Sequence, residues 1–301
     1  MENLTVSESH HEEQATPVFG NYRLGEGAIW SPDNVLLGVD ILGRKVWSYN
    51  PTHSSLKEIS VPQDVGTVVP TKTGDFLLAT QEGIATLNPS TEDFNVIKIL
   101  NNDPNIRFND GKCDPQGRFW AGTMAYDFGA HPRAGSLYRI DTDLSVEKVI
   151  GEVTISNGLV WTDNTFYYID TPTHQVVAYD YDPETGNISN RRSVIEIEPG
   201  LGNPDGMTID ADGMLWIALW GEGYVGRFDP RTGRLLQKIT TTGAKQVSSV
   251  AFGGKNLNIL YITTAYDCID DVGFIEQPNA GKVFAYEVDD TQGIPACVFG
   301  K

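Results

Sequence analysis

One short element recurs along this chain: a residue called here the anchor is followed directly by glycine and then by an apolar, strand-like segment. The copies are spaced by about 40 to 48 residues, an interval typical of repeats that form small antiparallel sheets. A looser sixth copy begins near Ser248, and the five clear copies are Glu26-Gly27, Val65-Gly66, Asp110-Gly111, Asn157-Gly158 and Asp205-Gly206. The period restricts the chain to folds that are built from six similar units.

Each unit has the pattern of four short strands. The glycine begins an apolar strand, and a polar turn and a second strand follow, as in "GAIWSPDNVLLGVD" and "GMTIDADGMLWIALW". A third and a fourth strand come next, in two units separated by Asp-Pro-x-Thr-Gly, at Asp182 to Gly186 and at Asp229 to Gly233. The strands are rich in Val, Ile, Tyr, Phe and Trp and lack helical periodicity. The sequence therefore predicts an all-β protein, a six-bladed β-propeller of four-stranded antiparallel blades.

No linker interrupts the repeat from about Glu26 to Asp289. We therefore expect a single propeller domain over residues 16–301, preceded by a flexible N-terminal tail over residues 1–15. A propeller must cover the last open edge of its ring. A strand near Pro17 to Tyr22 is predicted to do so by pairing with the C-terminal blade.

The composition limits the kinds of partner. Acidic residues outnumber Lys and Arg by 40 to 22, which gives a net charge of -18. Nucleic acid is disfavoured as a partner because its phosphates are bound by clustered basic side chains. A metal ion or a cationic ligand is favoured wherever the carboxylates converge in a cleft. The oligomeric state is left open.

The chain carries no sign of export or of membrane insertion. The N-terminus lacks a basic segment followed by an apolar one, and no run of about 18 apolar residues occurs. The three cysteines are odd in number and follow no paired spacing, which disfavours disulfides and zinc-thiolate sites. We expect a cytoplasmic protein without a membrane partner.

The anchors are the candidate site. In a propeller the first strand of each blade lines the central channel, so that side chains at the start of these strands converge on one mouth. Glu26, Asn157 and Asp205 would bring hard oxygen atoms together there, and Asp110 could add another. Such a set suits calcium, magnesium or manganese. The alternative is that each anchor only caps a turn, as Asp and Asn commonly do.

Two other motifs are interpreted as structural. The segment from Asp210 to Trp216, "DADGMLW", resembles the start of a calcium-binding EF-hand loop, but Gly221 stands where that loop requires Glu. It is interpreted as a hairpin turn. Trp120 and Trp216 hold matching places in second strands and are predicted to lie in the blade cores.

The histidines and cysteines do not form a recognisable catalytic motif. His10 and His11 lie in the polar tail and are expected to be disordered rather than to bind a metal. His174 is predicted to lie at the channel rim, where a solvated loop histidine is favoured over a ligand contact. Cys113 lies in a strand without a neighbouring histidine, so covalent nucleophilic catalysis lacks support.

Four motifs, in order along nearly the whole chain, resemble a known family. The segments "GEGAIW", "RFNDGKCDPQGRFWAGTM", "SNGLVW" and "PDGMTID" together are similar to the regucalcin, senescence marker protein and gluconolactonase family. The resemblance implies a six-bladed propeller that holds one divalent metal ion in its channel, with calcium, zinc, manganese and magnesium as candidates. It also implies the hydrolysis of sugar lactones such as gluconolactone to aldonic acids.

The resemblance assigns the metal ligands and the base. Carried over by motif, Glu26, Asn157 and Asp205 correspond to the metal ligands, which agrees with the anchors chosen from the repeat. Asp205 also corresponds to the family's general base. The ion would polarise the lactone carbonyl and lower the pKa of water, while Asp205 accepts a proton.

The resemblance also assigns substrate contacts. Arg107 and Asn109 of "RFNDGK" correspond to residues that bind substrate, and they would orient hydroxyl groups and stabilise oxyanion charge. An acidic residue after "AGTMA" often meets substrate in the family. Here that position has Tyr126 and Asp127, so Asp127 is a loose match. Ala28 in "GEGAIW" stands where proline is common, which should adjust the turn without affecting the ligand.

Two other functions remain open from the sequence. A phosphotriesterase or aryl-esterase would use the same metal site, because a metal-polarised electrophile need not be a lactone. A calcium-binding regulatory propeller with little turnover is the alternative from another class. Arg107 and Asn109 beside the anchors favour an enzyme, since a protein that only holds a metal does not need an arginine next to its cation. The physiological lactone and the metal stay open.

Overall fold

The structure of the protein is a computed structural model that describes residues 13–300. The predicted histidines of the tail, His10 and His11, and the rest of residues 1–12 lie outside the described residues. Of the described residues, the first two strands are β1 (Glu13–Gln14) and β2 (Thr16–Phe19).

The following strands form six successive groups, which we call blades one to six. The strands of blades one to three are β3 (Gly25–Trp30), β4 (Leu36–Asp40), β5 (Lys45–Asn50), β6 (Ser55–Ser60), β7 (Val65–Pro70), β8 (Phe76–Thr80), β9 (Gly83–Leu87), β10 (Phe94–Ile99), β11 (Ile106–Cys113), β12 (Phe119–Ala125), β13 (Gly135–Ile140) and β14 (Val146–Val153). The strands of blades four to six are β15 (Ser156–Trp161), β16 (Thr165–Asp170), β17 (Gln175–Tyr181), β18 (Ile188–Glu196), β19 (Asn203–Ile209), β20 (Leu215–Trp220), β21 (Tyr224–Phe228), β22 (Leu235–Thr240), β23 (Val247–Gly253), β24 (Ile259–Thr264) and β25 (Val283–Glu287).

The six sheets of residues 13–300 form a closed ring. Within each blade, strands that follow one another in sequence are antiparallel neighbours. The first strand of every blade packs against the first strand of the next, and β23 of the last blade packs against β3 of the first. The predicted six-bladed β-propeller is confirmed.

The N-terminal strands complete two of the sheets. The β2 strand pairs antiparallel with β25 and supplies the fourth strand of blade six, as predicted for the segment near Pro17. The β1 strand pairs in parallel with β22 and adds a fifth strand to blade five. Residues 13–15 belong to the predicted tail, but the sheet pairing begins among them.

Two short helices occur among the described residues. A 3-10 helix, Thr171–Thr173, follows β16, and an α-helix that we call α1 (Asp271–Glu276) lies between β24 and β25. Neither is close to the length or apolar character that a membrane-spanning helix requires.

Buried tryptophans lie in the blade cores, as the sequence predicts. Trp120 and Trp216 are fully buried. The indole Nε1 of Trp120 donates to Asp114 at 3.0 Å, and that of Trp216 donates to Asp210 at 3.0 Å. The other carboxylate oxygen of Asp210 accepts from the backbone N–H groups of the same hairpin turn, including that of Met214. The carboxylate of Asp210 thus holds a turn and a core indole together, which confirms the hairpin interpretation of this segment.

Each first strand carries an irregularity in pairing at its anchor. The register of β3 against β4 shifts just after Glu26, and β11, β15 and β19 shift around Asp110, Asn157 and Asp205. Equivalent shifts occur at the anchor positions of β7 and β23. A bulge of this kind changes the direction of a side chain relative to the regular pleat. The recurrent anchor is therefore the sequence signature of a recurrent β-bulge.

The glycine after the anchor allows neighbouring blades to approach closely. A Cβ atom placed on Gly66 would lie 2.6 Å from the carbonyl of Phe108 in blade three. One placed on Gly206 would lie 2.9 Å from the carbonyl oxygen of Ser248 in blade six. These backbones therefore pack at a distance that any side chain would prevent.

The crowding at Gly66 predicts a large loss of stability on its replacement. We expect Gly66→Ala to lower the free energy of unfolding by about 1–3 kcal/mol, because the added methyl meets backbone atoms that cannot move aside. Gly151→Ala is the matched control, since no atom lies within 4 Å of its Cβ position. Equilibrium urea unfolding measures both variants. Equal stability of the two would contradict the packing argument.

Candidate functional site

A cavity of ≈ 500 Å³ opens at the mouth of the channel where the first strands begin. Its buried polar lining comes from the first strands of blades one, three, four and five. These polar residues are Glu26, Arg107, Asn109, Asn157 and Asp205, and all five are buried. Three anchors and two of the three predicted substrate contacts are therefore brought together.

The amide side chains form a chain of hydrogen bonds. Nδ2 of Asn109 donates to Oδ1 of Asn157 at 2.8 Å, and Nδ2 of Asn157 donates to Oγ1 of Thr171 at 2.8 Å. An amide oxygen has two lone pairs, so Oδ1 of Asn157 keeps one for a further partner. The sequence analysis did not single out Thr171. It follows the end of the second strand of blade four, in the rim segment that the strand order places at this mouth.

Arg107 lies against Asn109 and an aromatic ring. One of its terminal nitrogens donates to Oδ1 of Asn109 at 2.6 Å, and its guanidinium lies 5.8 Å from the centre of the Tyr126 ring. The Tyr126 hydroxyl in turn donates to Asp64 at 2.6 Å. Burial lowers the pKa of Arg107, while the negative charge of nearby Glu26 is among the effects that oppose this shift. The guanidinium is thus held in a fixed position next to the anchors.

The carboxylates of the site are crowded and poorly solvated. Burial, and then the negative charge of Asp110, raises the pKa of Glu26 to about 8. Burial, followed by the charges of Glu26 and Asp110, raises the pKa of Asp205 well above its usual value. The positive charge of Arg107 acts in the opposite direction on both carboxyl groups. The arrangement therefore favours any cation or proton that neutralises these groups.

One oxygen of this set has no donor in the fold. Oδ1 of Asp205 is buried and accepts no hydrogen bond from the described residues 13–300. Oε2 of Glu26, by contrast, accepts from the backbone N–H of Gly27 at 3.0 Å. A buried acceptor without a partner loses the free energy of its hydration, so it marks a place where a ligand is expected.

Asp110 is close to these groups but does not line the cavity. Its carboxylate accepts from the backbone N–H of Gly111 at 2.7 Å. Burial raises the pKa of Asp110, and the positive charge of Lys112 opposes this rise. The Lys112 ammonium donates to the carbonyl of Met207 at 2.7 Å. Asp110 therefore contributes negative charge to the site without reaching its opening.

The two rim residues considered in the sequence analysis, Asp127 and His174, lie in different places relative to the cavity. The carboxylate of Asp127 is exposed and accepts from the backbone N–H of Ala130 at 2.9 Å, and the next residue, Phe128, lines the cavity in its place. His174 lines the cavity, and its Nδ1 is buried without a hydrogen-bond partner in the part of the chain that the structure describes. The structure thus brings His174, but not Asp127, to the predicted site.

The oxygen atoms of the anchors that line the cavity are of the kind that a hard divalent cation prefers as ligands. Glu26, Asn157 and Asp205 provide two carboxylates and one amide oxygen, with room in the cavity for water molecules to complete the coordination. Across residues 13–300, no three or more His, Cys, Asp or Glu side chains are grouped in the manner of metal ligands. The set of Glu26, Asn157 and Asp205 is not a group of this kind, because one of its three members is an asparagine. The partnerless Oδ1 of Asp205 fits a bound ion.

Comparison with known proteins places this chain in a family. Residues 24–266 match the family model described as the SMP-30/Gluconolactonase/LRE-like region. Regucalcin of Gallus gallus is 41% identical over 285 residues, which cover 92% of this chain and 95% of that protein.

Two solved structures share the whole fold. A luciferin-regenerating enzyme is 32% identical and has a TM-score of 0.88, with 95% of this chain and 98% of that chain covered. Regucalcin of Agrobacterium tumefaciens, described as a calcium-binding protein, is 26% identical with a TM-score of 0.87 and 95% coverage of both chains. The matched residues 24–266 include the first strands of all six blades. This chain therefore belongs to the SMP-30/gluconolactonase/LRE-like family.

Proposed function

We propose that this protein is a metal-dependent hydrolase that opens sugar lactones to aldonic acids. The observation that carries the proposal is the buried, partnerless Oδ1 of Asp205, which shares one cavity with a second carboxylate and with Arg107. The carboxylates suit a cation, and the arginine suits an anionic or polarised oxygen of a substrate. The gluconolactonase part of the family description supports a lactone as that substrate.

We propose that Glu26, Asn157 and Asp205 hold one divalent ion. Calcium, zinc, manganese and magnesium are the candidates, and the calcium-binding description of the Agrobacterium tumefaciens relative supports calcium. A divalent ion held by these residues would supply Lewis-acid polarisation of the substrate carbonyl, which would ease attack by water.

The chain's own residues position and deprotonate the reactants. Arg107 and Asn109 bind the lactone, and the guanidinium stabilises the negative charge that develops on the carbonyl oxygen. Asp205 accepts a proton from the attacking water as its oxygen bonds to the carbonyl carbon. The bond between that carbon and the ring oxygen then breaks, and the proton passes to the ring oxygen, which becomes the free hydroxyl of the aldonic acid. The balance requires one water molecule and no other reactant.

Two other functions would use the same site. A phosphotriesterase or aryl-esterase would need the same ion and Arg107, and a calcium-binding regulatory protein would need the ion alone. The buried Arg107, with its side chain fixed by Asn109 and Tyr126, supports an enzyme. A positive charge next to a cation site weakens cation binding. A substrate oxygen that accepts from Arg107 would explain why an arginine stands there.

Loss of either carboxylate should weaken metal binding. We expect Glu26→Gln and Asp205→Asn to reduce the affinity of metal-stripped protein for a divalent ion by about 100-fold or more, since even residues that only support a ligand can cost up to that factor. Isothermal titration with calcium, zinc, manganese and magnesium measures this. Asp163→Asn, at an exposed turn carboxylate, is the matched control. Unchanged affinity in both site variants would mean that the ion binds elsewhere.

Arg107 should act on substrate and not on the metal. We expect Arg107→Ala to bind the ion at least as tightly as the wild type, because a positive charge beside Glu26 and Asp205 is removed. Its kcat/KM for gluconolactone should fall by about 100-fold or more, the effect of losing a donor to a developing oxyanion. Titration and steady-state kinetics on the same preparation separate the two effects. Wild-type kinetics in this variant would remove Arg107 from the mechanism.

Asp205 should contribute to catalysis beyond holding the ion. The Asp205→Asn variant keeps an oxygen ligand and loses basicity, so at saturating metal we expect kcat to fall by about 100-fold or more, or roughly 3 kcal/mol. Circular dichroism confirms the fold and metal analysis confirms occupancy before the assay. If the saturated variant turns over lactone at nearly the wild-type rate, Asp205 is a ligand only and another group takes the proton.

A further inference from the structure

The polar floor of the cavity is surrounded by apolar side chains that the catalytic proposal does not use. We call this set the collar. Its members are Leu24, Met124, Phe128, Ile155, Pro172 and Trp220. They come from blades one, three, four and five, so the apolar surface surrounds the opening rather than lying on one side.

Two members of the collar occupy equivalent places and are held in the same way. Leu24 and Ile155 each precede the first strand of a blade. The backbone N–H of Leu24 donates to Asp40 at 2.9 Å, and that of Ile155 donates to Asp170 at 2.9 Å. Each aspartate stands at the end of the second strand of the same blade. This part of the collar is therefore built into the repeat.

Other members are fixed by strand pairing or stand exposed. Met124 forms an isolated bridge with Ile155, and Trp220 forms one with Gln246. Phe128 lies in the loop after β12 and is 45% exposed. A large aromatic side chain that stays exposed at the edge of a cavity gains free energy when a ligand covers it.

The rim of the cavity has fewer polar side chains than apolar ones, and some of the polar side chains already form hydrogen bonds within the protein. Thr171 is hydrogen-bonded to Asn157 and to the carbonyl of Pro204, and Asp267 accepts from Arg23 at 2.8 Å. His174 and Asn203 also reach the cavity. A substrate with hydroxyl groups on all sides would leave several of them against the collar without a partner, which opposes binding.

The volume of the cavity also suits a ligand that extends beyond the polar floor. Its volume of ≈ 500 Å³ lies within the range of about 300–1,000 Å³ that is typical of sites for larger, partly apolar ligands. Such sites combine an apolar wall with a few polar groups that set the orientation of the ligand. The division into a polar floor and an apolar collar has this form.

We infer that the substrate is an amphipathic lactone, with its ester group on the polar floor and an apolar substituent against the collar. The inference rests on the proposed lactone hydrolysis by the polar floor, and it replaces the sugar lactone of that proposal with a lactone that carries an apolar substituent. The reaction is unchanged: water opens the ring, and the product is a hydroxy acid that carries the apolar substituent.

A lactone series tests this substrate class. The metal-loaded, full-length protein is assayed with δ-gluconolactone and with δ-lactones that carry an n-alkyl chain, from methyl to pentyl, on the carbon bonded to the ring oxygen. Each methylene that the collar covers should raise kcat/KM by about two- to fourfold. The pentyl compound should be a better substrate than gluconolactone.

Variants of Phe128 test whether the collar is responsible. Phe128→Ala should reduce the increase of kcat/KM with the length of the alkyl chain. Phe128→Leu should retain most of this increase, because leucine still offers apolar surface. Phe128 is partly exposed, so neither change is expected to unfold the protein. Ile99→Ala is the matched control, since Ile99 is an exposed apolar residue on β10, outside the cavity lining, and it should keep the wild-type dependence.

The possible outcomes separate this inference from the proposed function. Turnover of gluconolactone with no gain along the alkyl series would overturn the inference and leave the lactonase proposal standing. A gain that persists in Phe128→Ala would place the substituent away from the collar and also overturn it. If neither kind of lactone is hydrolysed with any of the four metals, the lactonase proposal fails and the inference fails with it.

Discussion

The close packing of the six first strands around a narrow channel is the constraint on which the rest of the molecule depends. At Gly66 and Gly206 the neighbouring backbones approach to a distance that excludes a side chain. Five of the six first strands carry a bulge beside a glycine, and β23 carries one beside Ser248. The bulge changes the direction of the anchor. Because every blade repeats the arrangement, the anchors converge on one mouth. The candidate site is thus a consequence of how the ring closes.

The same packing explains the electrostatics of the site. Glu26, Asp110 and Asp205 are buried together, and their mutual repulsion adds to the cost of removing each carboxylate from water. Arg107 and Lys112 offset part of this charge, but Oδ1 of Asp205 stays without a partner in the described chain. Buried polar groups are usually satisfied, so an unpartnered carboxylate oxygen beside two other carboxyl groups supports the ligand that we propose there. A divalent ion would neutralise the carboxylates and supply the missing contact.

The floor and the collar of the cavity have different structural origins. The floor is made by first strands, whose side chains are fixed by bulges and by hydrogen bonds such as that between Asn109 and Asn157. The collar is made by residues that precede the first strands and by the ends of the second strands, with Phe128 on a loop. Changes in the collar can therefore alter which substrate fits without disturbing the groups that we propose for catalysis. This separation is a general advantage of placing chemistry on a rigid scaffold and selectivity at its rim.

The sequence by itself determined the number of blades and the strand pattern, and five of the six site residues predicted from it line one cavity. The blades, the strands and the anchors repeat along the chain at similar intervals, so local spacing is enough to identify them, whereas Arg107 and Asn109 were assigned by the resemblance to a family. Only the tertiary structure decided that Asp127 turns away, that Thr171 and His174 reach the cavity, and that Asp110 does not line it. It also revealed the collar. These placements depend on how loops from different blades meet at one mouth, and no periodicity along the chain records such contacts between distant residues.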